Sequence, residues 1–382
     1  DHAGFAWLKS QGIPMMKRSE VLGLISNGMR SVCIAGTHGK TTTSTMIAHL
    51  LTSSALSVSA FLGGIASDYG TNYLLGSGDV VVLEADEYDR SFLRLSPWIA
   101  TISSLDADHL DIYGDLEGMM EGYSQFVARI REGGILIIKQ GLLSQLNAEV
   151  VAALPERHIK VYEFGEEAAD ISLQNIRVEN GHFLFDYKGL GNTIEDVEVS
   201  LPGRHNLENA AVAITAGLIL GADVEAMKRA LRTFKGIQRR FERVFSSVDT
   251  EFIDDYAHHP GELNVAISAA RELFPGKHLT GVFQPHLYTR TRDFADGFAE
   301  ALDKLDRVFL MDIYPARELP IEGVTSNLIF DKMTLEDKTL VTKRDLMAVL
   351  SSCDVEVLLT LGAGDIDTFV PQIKQMLQKQ TH

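Results

Sequence analysis

Eight consecutive residues, Gly36-Thr37-His38-Gly39-Lys40-Thr41-Thr42-Thr43, bring together the groups that bind a polyphosphate. Glycines let backbone N–H groups turn toward an anion, and a helix opening behind them aims the positive end of its dipole at the same place. Lys40 adds a point charge for terminal phosphates, and Thr41 carries a hydroxyl suited to a hard, oxygen-seeking cation such as Mg²⁺. The usual phosphate-loop pattern has another Gly five residues before the second one; here that position is Ile34, so the loop is a shortened variant.

Other residues with chemical potential sit behind apolar runs. Residues 80–83 lead into Glu84-Ala85-Asp86-Glu87, and residues 99–104 into Asp106-Ala107-Asp108-His109-Leu110-Asp111. In a parallel sheet the carboxyl ends of strands converge on the ligand crevice, so Glu84 and His109 can meet a metal held at the phosphate loop. Taken singly, each segment reads more readily as the solvated start of a loop; the phosphate loop beside them reverses that preference. Further on, Asn206 is a plausible helix cap in Arg204-His205-Asn206-Leu207-Glu208-Asn209. Arg239 and Arg240, beside Gly236, form either a solvated hinge or a charge brought onto a transferring phosphate. Asp254-Asp255-Tyr256-Ala257-His258-His259-Pro260 and Gln284-Pro285-His286-Leu287-Tyr288-Thr289-Arg290 follow two successive strand-like runs. One adjacent histidine pair without i, i+4 spacing argues poorly for zinc. His286 with Arg290 and Arg292 would suit a carboxylate or a developing oxyanion.

The elements that must hold these residues alternate between short apolar runs and helical stretches, the pattern of a parallel α/β architecture. Strands are expected at 32–35, 80–83, 99–104 and 135–138, with helices over 42–53 and 116–131. Residues 171–200 alternate, as in Phe183-Leu184-Phe185-Asp186-Tyr187 after Asn180-Gly181, and predict a hairpin or meander. An Ala-rich helix follows over 206–220. A fresh α/β series then begins, with strands near 252–253, 279–283, 308–311 and 355–361 and a closing helix over 365–377. The expected fold is α/β: a P-loop-type central ATPase domain (residues 31–236) whose parallel sheet carries a small antiparallel section, then a Rossmann-like C-terminal domain (residues 237–382).

Composition narrows the function classes. A formal charge of −17 disfavours nucleic acid and anionic membrane surfaces as partners. No apolar run approaches the length needed to span a bilayer, and the first residues lack a secretory pattern, so a cytoplasmic protein is expected. Cys33 and Cys353 cannot build a disulfide framework and read as buried thiols.

Gly-Thr-His-Gly-Lys-Thr-Thr-Thr is similar to the ATP loop of the Mur ligase family, in the branch acting on UDP-N-acetylmuramate or its recycled peptides. The resemblance runs through almost the whole chain. It implies ATP and Mg²⁺ as cofactors, with Gly36, Thr37, His38, Gly39, Lys40, Thr41, Thr42 and Asn209 around the nucleotide and Thr41, Glu84 and His109 on the metal. It implies that Asp89 and Ser91 lie near the muramoyl group, that Arg240 faces ATP, that Asp254 touches nucleotide, and that His258, His286 and Arg290 serve substrate or amino acid. Lys40, Glu84, His109, Arg240 and His258 form the implied catalytic set. Residues 118–129 contain no lysine, so the carbamylated lysine of some relatives is not expected.

Asp-Asp-Tyr-x-His-His-Pro and Phe-Gln-Pro-His resemble the alanine-adding branch. The implied reaction is ATP-dependent ligation of L-alanine to the lactyl carboxylate of UDP-N-acetylmuramate through an acyl phosphate, a step of peptidoglycan precursor synthesis. Leu287 departs from that pattern, where several relatives place a basic residue. Residues 1–30 are expected to be the tail and linker of a UDP-sugar-binding domain. Two alternatives stay open: a recycling ligase that adds a murein tripeptide to the same nucleotide sugar, and an ATP-binding regulatory module that ligates nothing.

Overall fold

A computed structural model describes residues 3–106, 113–165, 169–179 and 182–380. His109 and the Asn180-Gly181 turn lie outside them. The chain divides into two compact units, one holding most residues up to Phe234 and the other residues 235–382 with the short segments 177–183 and 200–204.

The first unit is built on a ten-stranded sheet: β1 (Arg30–Ala35), β2 (Val58–Ala66), β3 (Thr71–Leu74), β4 (Val80–Glu84), β5 (Ile99–Ile102), β6 (Ile135–Lys139), β7 (Lys160–Gly165), β8 (Ile171–Glu179), β9 (His182–Gly189) and β10 (Asn192–Val199). Their order is β10-β9-β8-β7-β6-β5-β1-β4-β2-β3. β1 pairs in parallel with both β4 and β5, so Ala35, Glu84 and Ile102 end on the same edge. Strands buried on both faces read as near-continuous apolar runs, which is why β1, β4, β5 and β6 are visible in the sequence. β9 and β10 are joined by Leu190-Gly191, both at positive φ (53° and 75°), the geometry of a tight antiparallel hairpin. The meander expected over 171–200 is present as β8, β9 and β10, neighbours in the sheet.

Below the sheet, Phe92 stacks on Phe126 at 5.1 Å and meets the edge of Tyr123 at 5.3 Å. That cluster includes Cys33, Val81, Leu83 and Met119, all without exposed surface. It fixes the helix Leu116–Ala128, capped by Asp115 accepting from the Gly118 N–H at 2.8 Å.

The second unit carries six strands, β11 (Glu242–Ser246), β12 (Glu251–Asp255), β13 (Leu279–Phe283), β14 (Arg307–Met311), β15 (Lys338–Val341) and β16 (Val357–Leu361), in the order β11-β12-β16-β13-β14-β15. Only the β11–β12 pair is antiparallel among the pairs described, and Phe252, Val282, Phe309, Leu358, Ile373 and Leu377 fill one core.

Two expectations need correction. The helix Arg204–Leu220 begins ahead of Asn206, because Gly203 at φ 92° makes the turn; Asn206 is a buried residue inside the first turn and not the cap. Cys33 is buried, and burial pushes its thiol up to about 12, but Cys353 is only half-buried. Cys353 sits just past the helix Leu346–Ser351, where its Sγ donates to the Val349 carbonyl at 3.3 Å. Among the described residues no helix is long and apolar enough to cross a membrane.

Candidate functional site

β1 runs into the phosphate loop, and the helix Lys40–Ser53 starts directly behind it. Gly36 adopts φ 126° and Gly39 φ 81°, conformations that L side chains rarely take. Gly36 also has no room: a Cβ there would lie 2.4 Å from Ser103 Oγ. The loop is laced to the segment after β5, with Thr37 N donating to Ser104 O at 3.3 Å, Thr37 Oγ1 to Ser104 Oγ at 2.9 Å and His38 N to Ser104 Oγ at 2.8 Å. The His38 ring is exposed, with Nε2 3.4 Å from Asp106. Thr41 and Thr42 occupy the first helical turn.

Lys40 is turned inward. Its ammonium donates to Gly36 O at 2.9 Å, Thr37 O at 3.4 Å and Glu87 Oε1 at 2.8 Å. Glu87 is wholly buried, and burial raises its pKa above the ordinary carboxylate range although Lys40 pulls it down. Tyr113 Oη donates to the Glu87 carbonyl at 2.7 Å, and its phenol is pushed up to about 12 by burial and then by the Glu87 charge. Glu87 lies in the same run as Glu84, Glu84-Ala85-Asp86-Glu87, and nothing in the sequence singles it out, because which acid faces the lysine depends on the turn after β4.

Glu84 closes β4 and accepts from the Gly63 N–H at 3.0 Å. Burial raises its pKa, opposed first by a hydrogen bond from the Thr41 hydroxyl and next by the Lys40 charge. A half-buried carboxylate near a threonine hydroxyl at the mouth of a phosphate loop is an oxygen donor set that suits Mg²⁺. Asn209 is buried beside the loop, accepting from Thr43 Oγ1 at 2.9 Å and donating to Asn206 at 3.0 Å. Asp89 is exposed, 3.2 Å from Lys17, and Ser91 is half-buried. Asp89 and Arg90 both hold left-handed backbone, φ 53° and 54°, with the Arg90 guanidinium over the Tyr113 ring.

The second unit gathers its own constellation. Arg239 is locked, donating to Gly362 O at 2.6 Å and pairing with Asp367 at 3.1 Å and Asp254 at 3.5 Å. Asp254 is buried, accepts from Thr360 Oγ1 at 2.6 Å, and is raised to about 6 by burial. Arg240 lies over Tyr256 and 3.8 Å from Glu262. His258 is 3.1 Å from Glu262. Against burial, which would raise it, the hydrogen bond and charge from His258 and the charge of Arg240 hold Glu262 at about 2.

His286 follows β13 and packs edge-on to His258, ring centroids 5.9 Å apart. Burial, then the charges of His258 and Arg290, bring it down to about 4, so it is a neutral ring at physiological pH. Arg290 Nη1 lies 3.3 Å from its Nδ1, and Tyr314 stacks on the ring at 5.8 Å. The segment after β14 is tied to the one after β13 by Leu287 N to Tyr314 O at 2.9 Å and Thr289 Oγ1 to Glu318 at 2.5 Å. Leu287 itself holds φ 72°. Tyr314 and Glu318 were not read from the sequence, since nothing local distinguishes them from other loop residues.

Each unit thus assembles one cluster: Lys40, Thr41, Glu84, Glu87 and Asn209 in the first, and Arg240, Asp254, His258, Glu262, His286 and Arg290 in the second. Residues 34–217 match the Mur ligase middle domain and residues 239–364 the domain described as Mur ligase, glutamate ligase domain. The UDP-N-acetylmuramate–L-alanine ligase of Phocaeicola vulgatus is 45% identical over 381 residues, 99% of this chain and 82% of its own. The chain belongs to the Mur ligase family. Among solved structures, the UDP-N-acetylmuramate-alanine ligase MurC of Thermotoga maritima superposes with a TM-score of 0.80 at 26% identity, covering 99% of this chain and 82% of that one. A murein peptide ligase of Psychrobacter arcticus shares the fold, with a TM-score of 0.64 at 19% identity over 98% of this chain and 83% of that one.

Proposed function

We propose that this member of the Mur ligase family forms the amide bond between the lactyl carboxylate of UDP-N-acetylmuramate and the amine of L-alanine, using ATP and releasing ADP and phosphate. The observation that carries the reading is the joint presence, in one chain 45% identical to a curated alanine ligase, of a built phosphate loop and a separate His/Arg cluster. A nucleotide switch needs only the first.

The residues divide the work. Backbone N–H groups of the loop and the N-terminus of the helix Lys40–Ser53 would bind the phosphates of ATP. Lys40 would exchange its bond to Glu87 for the terminal phosphate, offsetting charge as the γ-phosphoryl passes to the substrate carboxylate. Thr41 and Glu84, with His109, would hold Mg²⁺, which when bound neutralises phosphate charge. Asn209 would orient the nucleotide. In the second unit Arg290 suits the amino-acid carboxylate by a charge-assisted bond, and neutral His286 can accept a proton from the ammonium end or position it. His258, held by Glu262, would present a fixed imidazole to the same substrate. Such chemistry belongs in the cytoplasm, where ATP and nucleotide sugars are made.

Passage of carboxylate oxygen into released phosphate is the signature of an acyl phosphate. Substrate labelled with ¹⁸O in the lactyl carboxylate should give labelled phosphate, and unlabelled phosphate would exclude that route.

A further inference from the structure

β2, one of several elements that no apolar run announces in the sequence, passes directly beside Glu84. It pairs in parallel with β4 from Val58↔Val80 to Phe61↔Leu83, then continues past the end of that register. On its other side the pairing with β3 shifts between Phe61 and Ala66. Irregular pairing and glycine in a strand mark a place where something else approaches the backbone closely. At Gly63 that something is the Glu84 carboxylate. The Gly63 N–H donates to Oε2 at 3.0 Å, and a Cβ built on Gly63 would lie 2.3 Å from both carboxylate oxygens and 2.5 Å from Cδ. Gly63 is absent from the residues with positive φ, so its backbone is open to any amino acid. What requires glycine here is space for the carboxylate, not conformation.

We propose that Gly63 is a positioning residue for the divalent-cation site: its bare backbone N–H fixes the Glu84 carboxylate at the phosphate loop, and any side chain at 63 displaces it. The inference rests on the ligase reading in one respect, that Glu84 is a ligand of the cation bound with nucleotide. The contact atoms are the far end of a flexible side chain, so a methyl at 63 moves the carboxylate before it moves the sheet. Partners that orient a ligating carboxylate typically contribute about 10–100-fold in metal affinity.

The test uses Gly63→Ala, Glu84→Ala and the double variant, with Mn²⁺ as the probe. Mn²⁺ affinity is read by electron paramagnetic resonance with a non-hydrolysable ATP analogue present, and unfolding is followed separately by circular dichroism. Gly63→Ala should weaken Mn²⁺ at least about tenfold while remaining folded. In the Glu84→Ala background the same change should have no further effect, because the group it displaces is gone. Wild-type Mn²⁺ binding retained within twofold by a folded Gly63→Ala overturns the proposal, as does a further loss of metal in the double variant. Should Gly63→Ala fail to fold, the double variant decides: recovery of folding supports the clash with Glu84, and continued failure refutes it. If the wild type binds Mn²⁺ no better with nucleotide than without, the ligase reading of this site fails instead.

Discussion

Replacing Glu87 separates what the Lys40–Glu87 pair does for folding from what it does for nucleotide. Both groups are shut from water, Glu87 fully and the Lys40 side chain at 14% exposure, and their atoms are 2.8 Å apart. Taking two charges out of water costs several kcal/mol each, which the pair recovers only while both members are present. The raised pKa of Glu87 agrees: burial outweighs the pull of Lys40. Removing one member of such a pair costs about 3–5 kcal/mol. Glu87→Gln keeps the shape and an accepting oxygen, and Lys40 retains the Gly36 and Thr37 carbonyls, so the expected loss is smaller. A hydrogen bond to a charged group contributes about 1.5–3 kcal/mol, and we take about 2–3 kcal/mol here. In a unit of this size that corresponds to a fall in Tm of about 5–10 °C. Urea unfolding of the ligand-free protein measures it. The double variant Lys40→Met, Glu87→Leu should return to within about 1 kcal/mol of wild type, since it relieves both desolvation penalties, while abolishing ATP binding. A Glu87→Gln variant as stable as wild type, or a double variant costing the sum of the singles, would refute the argument.

Other expectations follow from the two clusters. Arg290→Met should raise KM for alanine about 10–100-fold by removing a charge-assisted bond, with KM for ATP unmoved; equal effects on both substrates would contradict the assignment. Asn209→Ala removes the acceptor for Thr43 beside Gly39 and should weaken ATP analogues about tenfold, read by calorimetry; unchanged affinity would take Asn209 out of the nucleotide site. His286 falls to about 4 from 6.5, so between those values the native state binds fewer protons than the unfolded state, and the contribution of His286 to stability rises with pH. The stability of wild type relative to His286→Gln should therefore climb from about pH 4 to 6.5, and parallel profiles would show that the ring is not held neutral. The buried Asp254, raised to about 6 from 3.8, acts in the opposite direction over nearly the same range, because there the native state binds more protons. Only the difference between variants isolates the histidine.

Much of the site was legible because its parts are local. The phosphate loop needs a strand, two glycines and a helix start in sequence, and these appear together at residues 32–43. Buried parallel strands such as β4 announce themselves as unbroken apolar runs that stop at an acid. What stayed hidden depends on partners far along the chain. β2 contains Gly63 where a strand propensity would ask for a β-branched residue, and the approach of Glu84 explains it. Glu87 and Glu84 are alike in sequence, and the turn that buries one against Lys40 forms through Phe92 and Tyr113. Asn206 looked like a cap because caps are read from residue type, whereas Gly203 had already turned the chain.

The most direct test is ligation itself. The full-length protein is incubated with ATP, Mg²⁺, UDP-N-acetylmuramate and one amine at a time, and both ADP and the mass of the coupled product are followed. ADP release dependent on L-alanine, matched by UDP-N-acetylmuramoyl-L-alanine, is the predicted result. Product formed only with a murein tripeptide, or ADP formed without any coupled product, would contradict the account.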